Sequence, residues 1–106
     1  MEANQKIIQL LKENMLFQEF TDSDLEKIVP FIREVRLGTG DFVVHQGDLG
    51  TDFFIIEDGE VEVIKRTGVG ERVHQLTVLH HGDNFGELVL VGNGYRSASV
   101  RALRPT

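Results

Sequence analysis

Residues 53–63 read Phe-Phe-Ile-Ile-Glu-Asp-Gly-Glu-Val-Glu-Val, and this stretch decides the fold class. Asp58-Gly59 separates two short segments rich in apolar residues, and this pair is a strong signal for a type I′ hairpin turn. From Glu60 to Val63, glutamate alternates with valine, which is typical of a strand with one face toward water. The stretch therefore predicts a hairpin within an antiparallel sheet.

The chain keeps this β-rich character from Val35 onward. Glycines are frequent, and a second, looser hairpin loop is predicted at 67–70. Short strands punctuated by turn signals are typical of an all-β barrel or sandwich. The predicted fold is mainly β with flanking helices, an antiparallel barrel or jelly roll. Its strands are expected at 42–45, 53–57, 61–65, 73–79 and 97–102.

The N-terminal part has a different pattern. Apolar residues recur at helical spacing within residues 4–29, with a break near Phe20. Thr21 and its polar neighbours are N-cap candidates for a second short helix, which Pro30 should end. We therefore divide the chain into a helical segment, 1–34, and a β-barrel, 35–106, within one domain.

Composition excludes several classes of protein. The 106 residues carry a net charge of −6, which argues against general binding of nucleic acid or anionic membranes. No apolar run approaches the roughly 18 residues of a membrane-spanning helix, and the start lacks the pattern of a signal peptide. The absence of cysteine excludes disulfides and cysteine-based zinc sites. These features are consistent with a cytoplasmic protein.

The charge is unevenly distributed along the chain. Residues 1–62 contain 14 acidic and 5 basic residues, whereas residues 63–106 contain 3 acidic and 6 basic residues. An anionic small ligand should therefore bind the second part of the chain.

One segment of that second part breaks the strand pattern. Residues 84–91 contain Gly86-Glu87 followed by an apolar run, and they can form one turn of helix between strands. The free N–H groups at a helix start attract phosphate, and Gly86 would let a ligand approach the backbone. Arg96 can pair with a phosphate, whereas Glu87 suits a sugar hydroxyl. The combination predicts a nucleotide monophosphate site.

Two separated motifs extend this interpretation to a family. Residues 85–90, Phe-Gly-Glu-Leu-Val-Leu, and residues 96–100, Arg-Ser-Ala-Ser-Val, resemble the phosphate-binding cassette of cyclic nucleotide-binding domains. Residues 46–50, 53–56 and 59–63 resemble that family's barrel. The resemblance covers about residues 5–104 and implies an eight-stranded jelly roll that carries the cassette at 85–98.

The resemblance also implies a function. Such a domain binds cAMP or cGMP, is not an enzyme, needs no metal or other cofactor, and transmits ligand binding to a partner such as a protein kinase catalytic domain. Glu87 would accept from the ribose 2′-OH and Arg96 would pair with the cyclic phosphate, while Ser97 could read guanine. The family's lid helix would follow Leu103, so we expect this chain to lack it. The implied ligand-binding residues are Gly86, Glu87, Leu88, Val89, Arg96, Ser97 and Ala98.

Other interpretations remain open at this point. Glu87 and Arg96 could form an ordinary salt bridge, in a barrel that keeps the fold and serves only as a protein-interaction domain. The adjacent His80 and His81 point to opposite faces of a strand, so they are poorly placed to chelate a metal. No hydrolase nucleophile motif or triphosphate-binding loop is present.

Overall fold

The computed structural model describes residues 2–68, 72–86 and 94–106. The chain divides into two compact units, of which the first ends at Val35 and the second spans Arg36–Thr106. None of the helices in these described ranges is both long and apolar enough to cross a membrane.

The first unit is helical. Helix α1 spans Glu2–Glu13 and helix α2 spans Asp22–Ile28, and short 3₁₀ turns follow them at Met15–Phe17 and Val29–Phe31. Leu11 of α1 and Leu25 of α2 are buried. The break near Phe20 and the end of the second helix beside Pro30 agree with the sequence pattern.

The predicted cap at Thr21 is confirmed as a capping box. The Thr21 side chain accepts a hydrogen bond from the Asp24 amide at 3.1 Å, and the Asp24 carboxylate accepts from the Thr21 amide at 3.0 Å. These bonds satisfy backbone donors that have no partner within the helix. They also lower the pKa of Asp24, with the bond from the Thr21 backbone as the largest cause.

The second unit contains two antiparallel sheets. The larger sheet has four strands in the order β1-β6-β3-β4, and the smaller sheet pairs β2 with β5. Strand β3 is central, with β4 on one side and β6 on the other. The strands are β1 Phe42–Val44, β2 Phe54–Ile55, β3 Val61–Thr67, β4 Arg72–Leu79, β5 Asn84–Phe85 and β6 Ser99–Ala102.

The hairpin predicted at Asp58-Gly59 is wrong. The strands on either side of this turn belong to different sheets, because β2 pairs with β5 and β3 pairs with β4 and β6. Gly59 does have a positive φ, 118°, but a Cβ there would lie 2.5 Å from the Cα of Thr106. The turn thus packs against the C-terminal residue as the chain passes between sheets.

The looser hairpin predicted at residues 67–70 does join two paired strands. Thr67 of β3 faces Arg72 of β4, so the connection is a short antiparallel one. Gly68 has a φ of 75°, a conformation in which glycine is unstrained. The next three residues, 69–71, lie outside the described residues.

The segment expected to form one turn of helix begins as a strand. Asn84 and Phe85 form a two-residue strand that the sequence pattern did not predict. This strand pairs with Ile55 and Phe54. Residues 87–91, where the turn of helix was expected, lie outside the described residues.

A small apolar core lies between the two sheets of the second unit. Phe85 comes from the smaller sheet, and Val61 and Val100 come from the larger one. Partly buried residues from both sheets pack around them. This core anchors Phe85 at the end of β5 and Val100 in β6, so it also anchors the adjoining Gly86 and Ala98.

The water-facing side predicted for β3 is wrong at Glu62. Glu62 is 6% exposed, because Arg101 of β6 donates to its carboxylate through Nε at 2.8 Å and also through Nη2. Gln75 of β4 donates to the other carboxylate oxygen at 3.0 Å. The Arg101 and Gln75 side chains therefore cover Glu62, and the hydrogen bond from Arg101 is the main cause that lowers the pKa of Glu62.

The Glu62 pair should make folding stability depend on pH. Because folding lowers the pKa of Glu62 from its ordinary value of 4.5, its contribution is present above that value and is lost as the pH falls through the folded-state pKa. Glu62→Gln should therefore lower the free energy of unfolding by roughly 2 kcal/mol at neutral pH. Urea denaturation should show this difference shrinking as the pH falls below the ordinary pKa of 4.5.

The exposed Glu26 of α2 provides the control, since Glu26→Gln makes the same substitution away from the Glu62–Arg101 pair. A constant difference between the Glu62→Gln and unmodified chains across this pH range would contradict the assignment.

Candidate functional site

A cavity of about 310 Å³ opens in the second unit. Four of the seven residues predicted to bind ligand line it, namely Gly86, Arg96, Ser97 and Ala98. Its remaining walls come mainly from the strands of both sheets. These walls are formed by Val44, Val63, Thr77, Leu79, Asn84, Phe85, Gly94, Tyr95 and Val100.

The backbone of Arg96 is held by a loop that precedes β2. The Gly47 amide donates to the Arg96 carbonyl at 2.8 Å, and the Arg96 amide donates to the Asp48 carbonyl at 2.8 Å. A third bond of 2.8 Å runs from the Gly50 amide to the Gly94 carbonyl. We call residues 47–52 the cradle loop, because these bonds fix the backbone from which the Arg96 side chain starts.

The same loop also binds the Arg96 side chain. Its Nη2 donates to the Asp52 carbonyl at 2.8 Å, and its Cζ lies 5.8 Å from the centre of the Phe54 ring, within the range of a cation–π contact. A carbonyl oxygen carries no net charge, so this bond orients the guanidinium without neutralising it. A guanidinium has five N–H donors, and the bond to Asp52 uses one of them.

Pairing of the small sheet places the neighbouring aromatic rings. Phe54 of β2 faces Phe85 of β5, and the two rings stack with centroids 4.8 Å apart and planes at 13°. Phe85 is 9% exposed and anchors the chain immediately before Gly86. The stacked pair thus fixes both the ring beside Arg96 and the start of the predicted cassette.

Gly86 is required by its surroundings as well as by its backbone. Its φ is 86°, and a Cβ there would lie 2.8 Å from Nη1 of Arg96 and 2.9 Å from the Asp52 carbonyl oxygen. Gly86 is expected to let the ligand approach the backbone, and that role stays a prediction. The structure adds a second reason for glycine at position 86, because a side chain there would collide with the Arg96 guanidinium and the Asp52 carbonyl.

Ser97 and Ala98 continue the cavity wall after Arg96. Ser97 is exposed and Ala98 is half-buried. The next residue, Ser99, accepts a hydrogen bond from the Gln46 amide at 2.8 Å through its hydroxyl. The segment from Arg96 to Ser99 is therefore tied at both ends to the chain at Gln46 and the cradle loop.

Three of the predicted ligand-binding residues fall outside the described residues, and their roles stay predictions. They are Glu87, Leu88 and Val89.

The carbonyls of Asp48 and Asp52 and the Phe54 ring were not predicted to belong to the site. Backbone carbonyls are present at every residue, so no residue type marks the ones that bind Arg96. The one available signal was the resemblance of residues 46–50 to the family's barrel, which marked the loop without assigning its contacts.

The two histidines considered for metal binding have other partners. Nε2 of His80 lies 3.0 Å from a carboxylate oxygen of Glu60, and Nδ1 of His81 contacts the carbonyl of Glu57. In ranges 2–68, 72–86 and 94–106, no group of three or more histidine, aspartate or glutamate residues could hold a metal ion.

Comparison with known proteins identifies the family. Residues 34–106 match the family model of the cyclic nucleotide-binding domain. The chain belongs to this family. The family recognised from the two motifs is therefore confirmed.

Curated relatives include a protein kinase regulatory subunit and a protein kinase. The chain is 40% identical over 92 residues to the cAMP-dependent protein kinase regulatory subunit of Blastocladiella emersonii, covering 87% of this chain and 23% of that protein. It is 30% identical over 105 residues to a cGMP-dependent protein kinase of Caenorhabditis briggsae, covering 99% of this chain and 14% of that protein. The chain thus spans less than a quarter of either relative.

A solved structure supports the fold. The regulatory domain of Toxoplasma gondii PKA, co-crystallised with cAMP, superposes with a TM-score of 0.89 at 27% identity. The match covers 98% of this chain and 40% of that one. The predicted fold class, an antiparallel jelly-roll barrel with flanking helices, is confirmed.

Gly86 offers a test of the geometry in the absence of any ligand. Gly86→Ala and Gly82→Ala both place a Cβ at a positive φ, 86° and 85°, but nothing lies within 4 Å of the Cβ at Gly82. Each variant should lose about 1 kcal/mol of unfolding free energy from backbone strain. Gly86→Ala should lose measurably more in urea denaturation, because its Cβ meets a carbonyl oxygen and a guanidinium. Equal losses would contradict the crowding at Gly86.

Proposed function

We propose that this domain binds a cyclic nucleotide, with Arg96 as the residue that pairs with the cyclic phosphate. The observation that carries the proposal is the Arg96 guanidinium, held in a cavity wall by a neutral carbonyl and an aromatic ring. A cyclic phosphate carries one negative charge and two free oxygens, which suit the planar fork of donors on a guanidinium.

In this proposal, the other predicted residues contact the ribose and the remaining phosphate oxygens. Glu87 accepts from the ribose 2′-OH, the only ribose hydroxyl that remains free after cyclisation. Backbone amides near Gly86, Leu88, Val89 and Ala98 bind the phosphate oxygens. Support comes from the family membership of residues 34–106 and from the excess of basic residues after residue 62.

We rank cAMP ahead of cGMP as the ligand. The cAMP-dependent relative is 40% identical to this chain and the cGMP-dependent relative is 30% identical. Ser97 is the residue through which cGMP could still bind, since its exposed hydroxyl lines the cavity and can accept from the guanine 2-amino group.

The proposed role of binding is regulatory and not catalytic. Relatives of this chain are a regulatory subunit and a kinase with its own catalytic part, and the chain spans only a fraction of each. We propose that ligand binding here is transmitted to a partner such as a protein kinase catalytic domain. A cytoplasmic location remains a prediction from the sequence.

Arg96→Ala tests the central role. It should weaken cAMP binding by about 30-fold or more, because a charged hydrogen-bond partner of the phosphate contributes about 2 kcal/mol. Isothermal titration calorimetry with cAMP and cGMP on the unmodified and variant chains measures this. Arg104→Ala, which changes an exposed arginine, should leave the affinity unchanged.

Two results would contradict the proposal in different ways. Unchanged affinity in Arg96→Ala would refute the role of Arg96. Absence of both heat and thermal stabilisation with either nucleotide in the unmodified chain would instead favour a protein-interaction domain that keeps only the fold, because a ligand specific for the folded state must raise the melting temperature.

Ser97→Ala tests the contribution to base selectivity. Loss of one hydroxyl acceptor should weaken cGMP binding by about fivefold and change cAMP binding little. The ratio of the two dissociation constants is the readout, and Ser99→Ala serves as a structural comparison because Ser99 accepts from the Gln46 amide. An unchanged ratio in Ser97→Ala would show that Ser97 does not contribute to the choice between cGMP and cAMP.

A further inference from the structure

The Arg96 side chain lies against the backbone of Gly50. A Cβ added to Gly50 would lie 2.0 Å from Nε of Arg96, 2.2 Å from its Cζ and 2.3 Å from its Nη2. Real Cβ atoms essentially never approach other heavy atoms within 3.0 Å. The guanidinium therefore occupies the volume that any other residue at position 50 would fill.

We propose that Gly50 is a positioning residue for Arg96, and that its missing side chain lets the guanidinium reach the Asp52 carbonyl in the cavity wall. This inference rests on the proposed function, because the position of Arg96 matters to affinity only if Arg96 binds the ligand. Gly50 itself need not touch the nucleotide.

The cradle loop supports this role through contacts on both sides of Gly50. Before it, Gly47 and Asp48 bond to the backbone of Arg96, and after it, the Asp52 carbonyl accepts from the Arg96 side chain. Gly50 itself bonds to the Gly94 carbonyl through its amide. The backbone of the cradle loop thus lies against Arg96. Only glycine at position 50 leaves space for the Arg96 side chain between these contacts.

The expected response to a side chain at position 50 is displacement of Arg96 and not unfolding. The φ of Gly50 is outside the left-handed region, so alanine there avoids the strain of that conformation. The Gly50 amide would keep its bond to Gly94. The obstructing atoms belong to the end of a flexible, half-buried side chain, which can swing away from the Cβ.

Displacement would move the Arg96 guanidinium away from the position in which it would contact the ligand. The guanidinium would leave the Asp52 carbonyl and the Phe54 ring, the two contacts that fix its direction. Binding sites lose much of their effect when a key group shifts by about 1 Å from its productive position. A methyl group that touches no ligand should therefore weaken ligand binding.

Gly50→Ala tests this inference, with Gly38→Ala as the matched control. Gly38 also lies outside the left-handed region, and a Cβ there meets only ordinary contacts, the nearest at 3.4 Å from Asp41. Gly50→Ala should weaken cAMP binding at least about tenfold by calorimetry. Without ligand, its melting temperature should fall no further than that of Arg96→Ala, which loses the same contacts to Asp52 and Phe54. Gly38→Ala should change neither.

A double variant separates positioning from general damage. If Gly50 acts through Arg96, adding Gly50→Ala to Arg96→Ala should weaken binding no further, because the displaced side chain is already absent. Independent losses that multiply in the double variant would overturn the inference. Unchanged cAMP affinity in Gly50→Ala alone would overturn it as well, while leaving the proposed function intact.

An NMR measurement keeps the inference testable if the proposed function fails. The Nε–H resonance of Arg96, assigned by its loss in Arg96→Ala, reports the guanidinium environment without any nucleotide. It should shift in Gly50→Ala and stay in place in Gly38→Ala. An unmoved resonance in Gly50→Ala would overturn the positioning role, whereas absence of nucleotide binding by the unmodified chain would refute the proposed function alone.

Discussion

The candidate site depends on how the Arg96 guanidinium is held, and within residues 2–68, 72–86 and 94–106 its side-chain partners carry no net charge. A carboxylate would hold Arg96 firmly but would also neutralise it, which would leave little attraction for an anionic ligand. The structure uses a backbone carbonyl and the face of an aromatic ring instead. Both contacts orient the group, and neither carries a full negative charge.

This arrangement needs chain segments that are distant in sequence. The bond from Arg96 to the Asp52 carbonyl joins residues 44 positions apart. The small sheet fixes Phe54 and Phe85, whereas the larger sheet fixes the segment that follows Arg96. The core residues between the sheets hold these segments together, so the position of Arg96 is a product of the whole β unit.

Local chemistry made part of the structure predictable from the sequence. Thr21 caps its helix because a hydroxyl and a carboxylate three residues apart satisfy free amides, and this needs no distant partner. Arg96 and Gly86 could be singled out because charge and a small side chain suit a phosphate. The cavity does bring these two residues together.

Partners distant in sequence explain the errors. The turn at Asp58-Gly59 has a suitable backbone, but β5 takes the pairing position that the hairpin would have used. Glu62 reads as a water-facing residue until β4 and β6 bring Gln75 and Arg101 to it.

Gly50 was predicted to matter only as part of residues 46–50, which resemble the family's barrel. Its own role could not be predicted, because that role depends on the absence of a side chain. An absent side chain has no chemical signature until the neighbouring atoms are known.

The two arginines of adjacent segments show why sequence alone does not identify an anion site. Arg101 donates twice to the Glu62 carboxylate, and the lowered pKa of that group reflects their mutual stabilisation. Its charge is thus already matched within the sheet. Arg96 has the same side chain, but within residues 2–68, 72–86 and 94–106 its side chain contacts a neutral carbonyl and a ring, neither of which matches its charge. What separates a structural arginine from a candidate binding residue here is the charge of its partner.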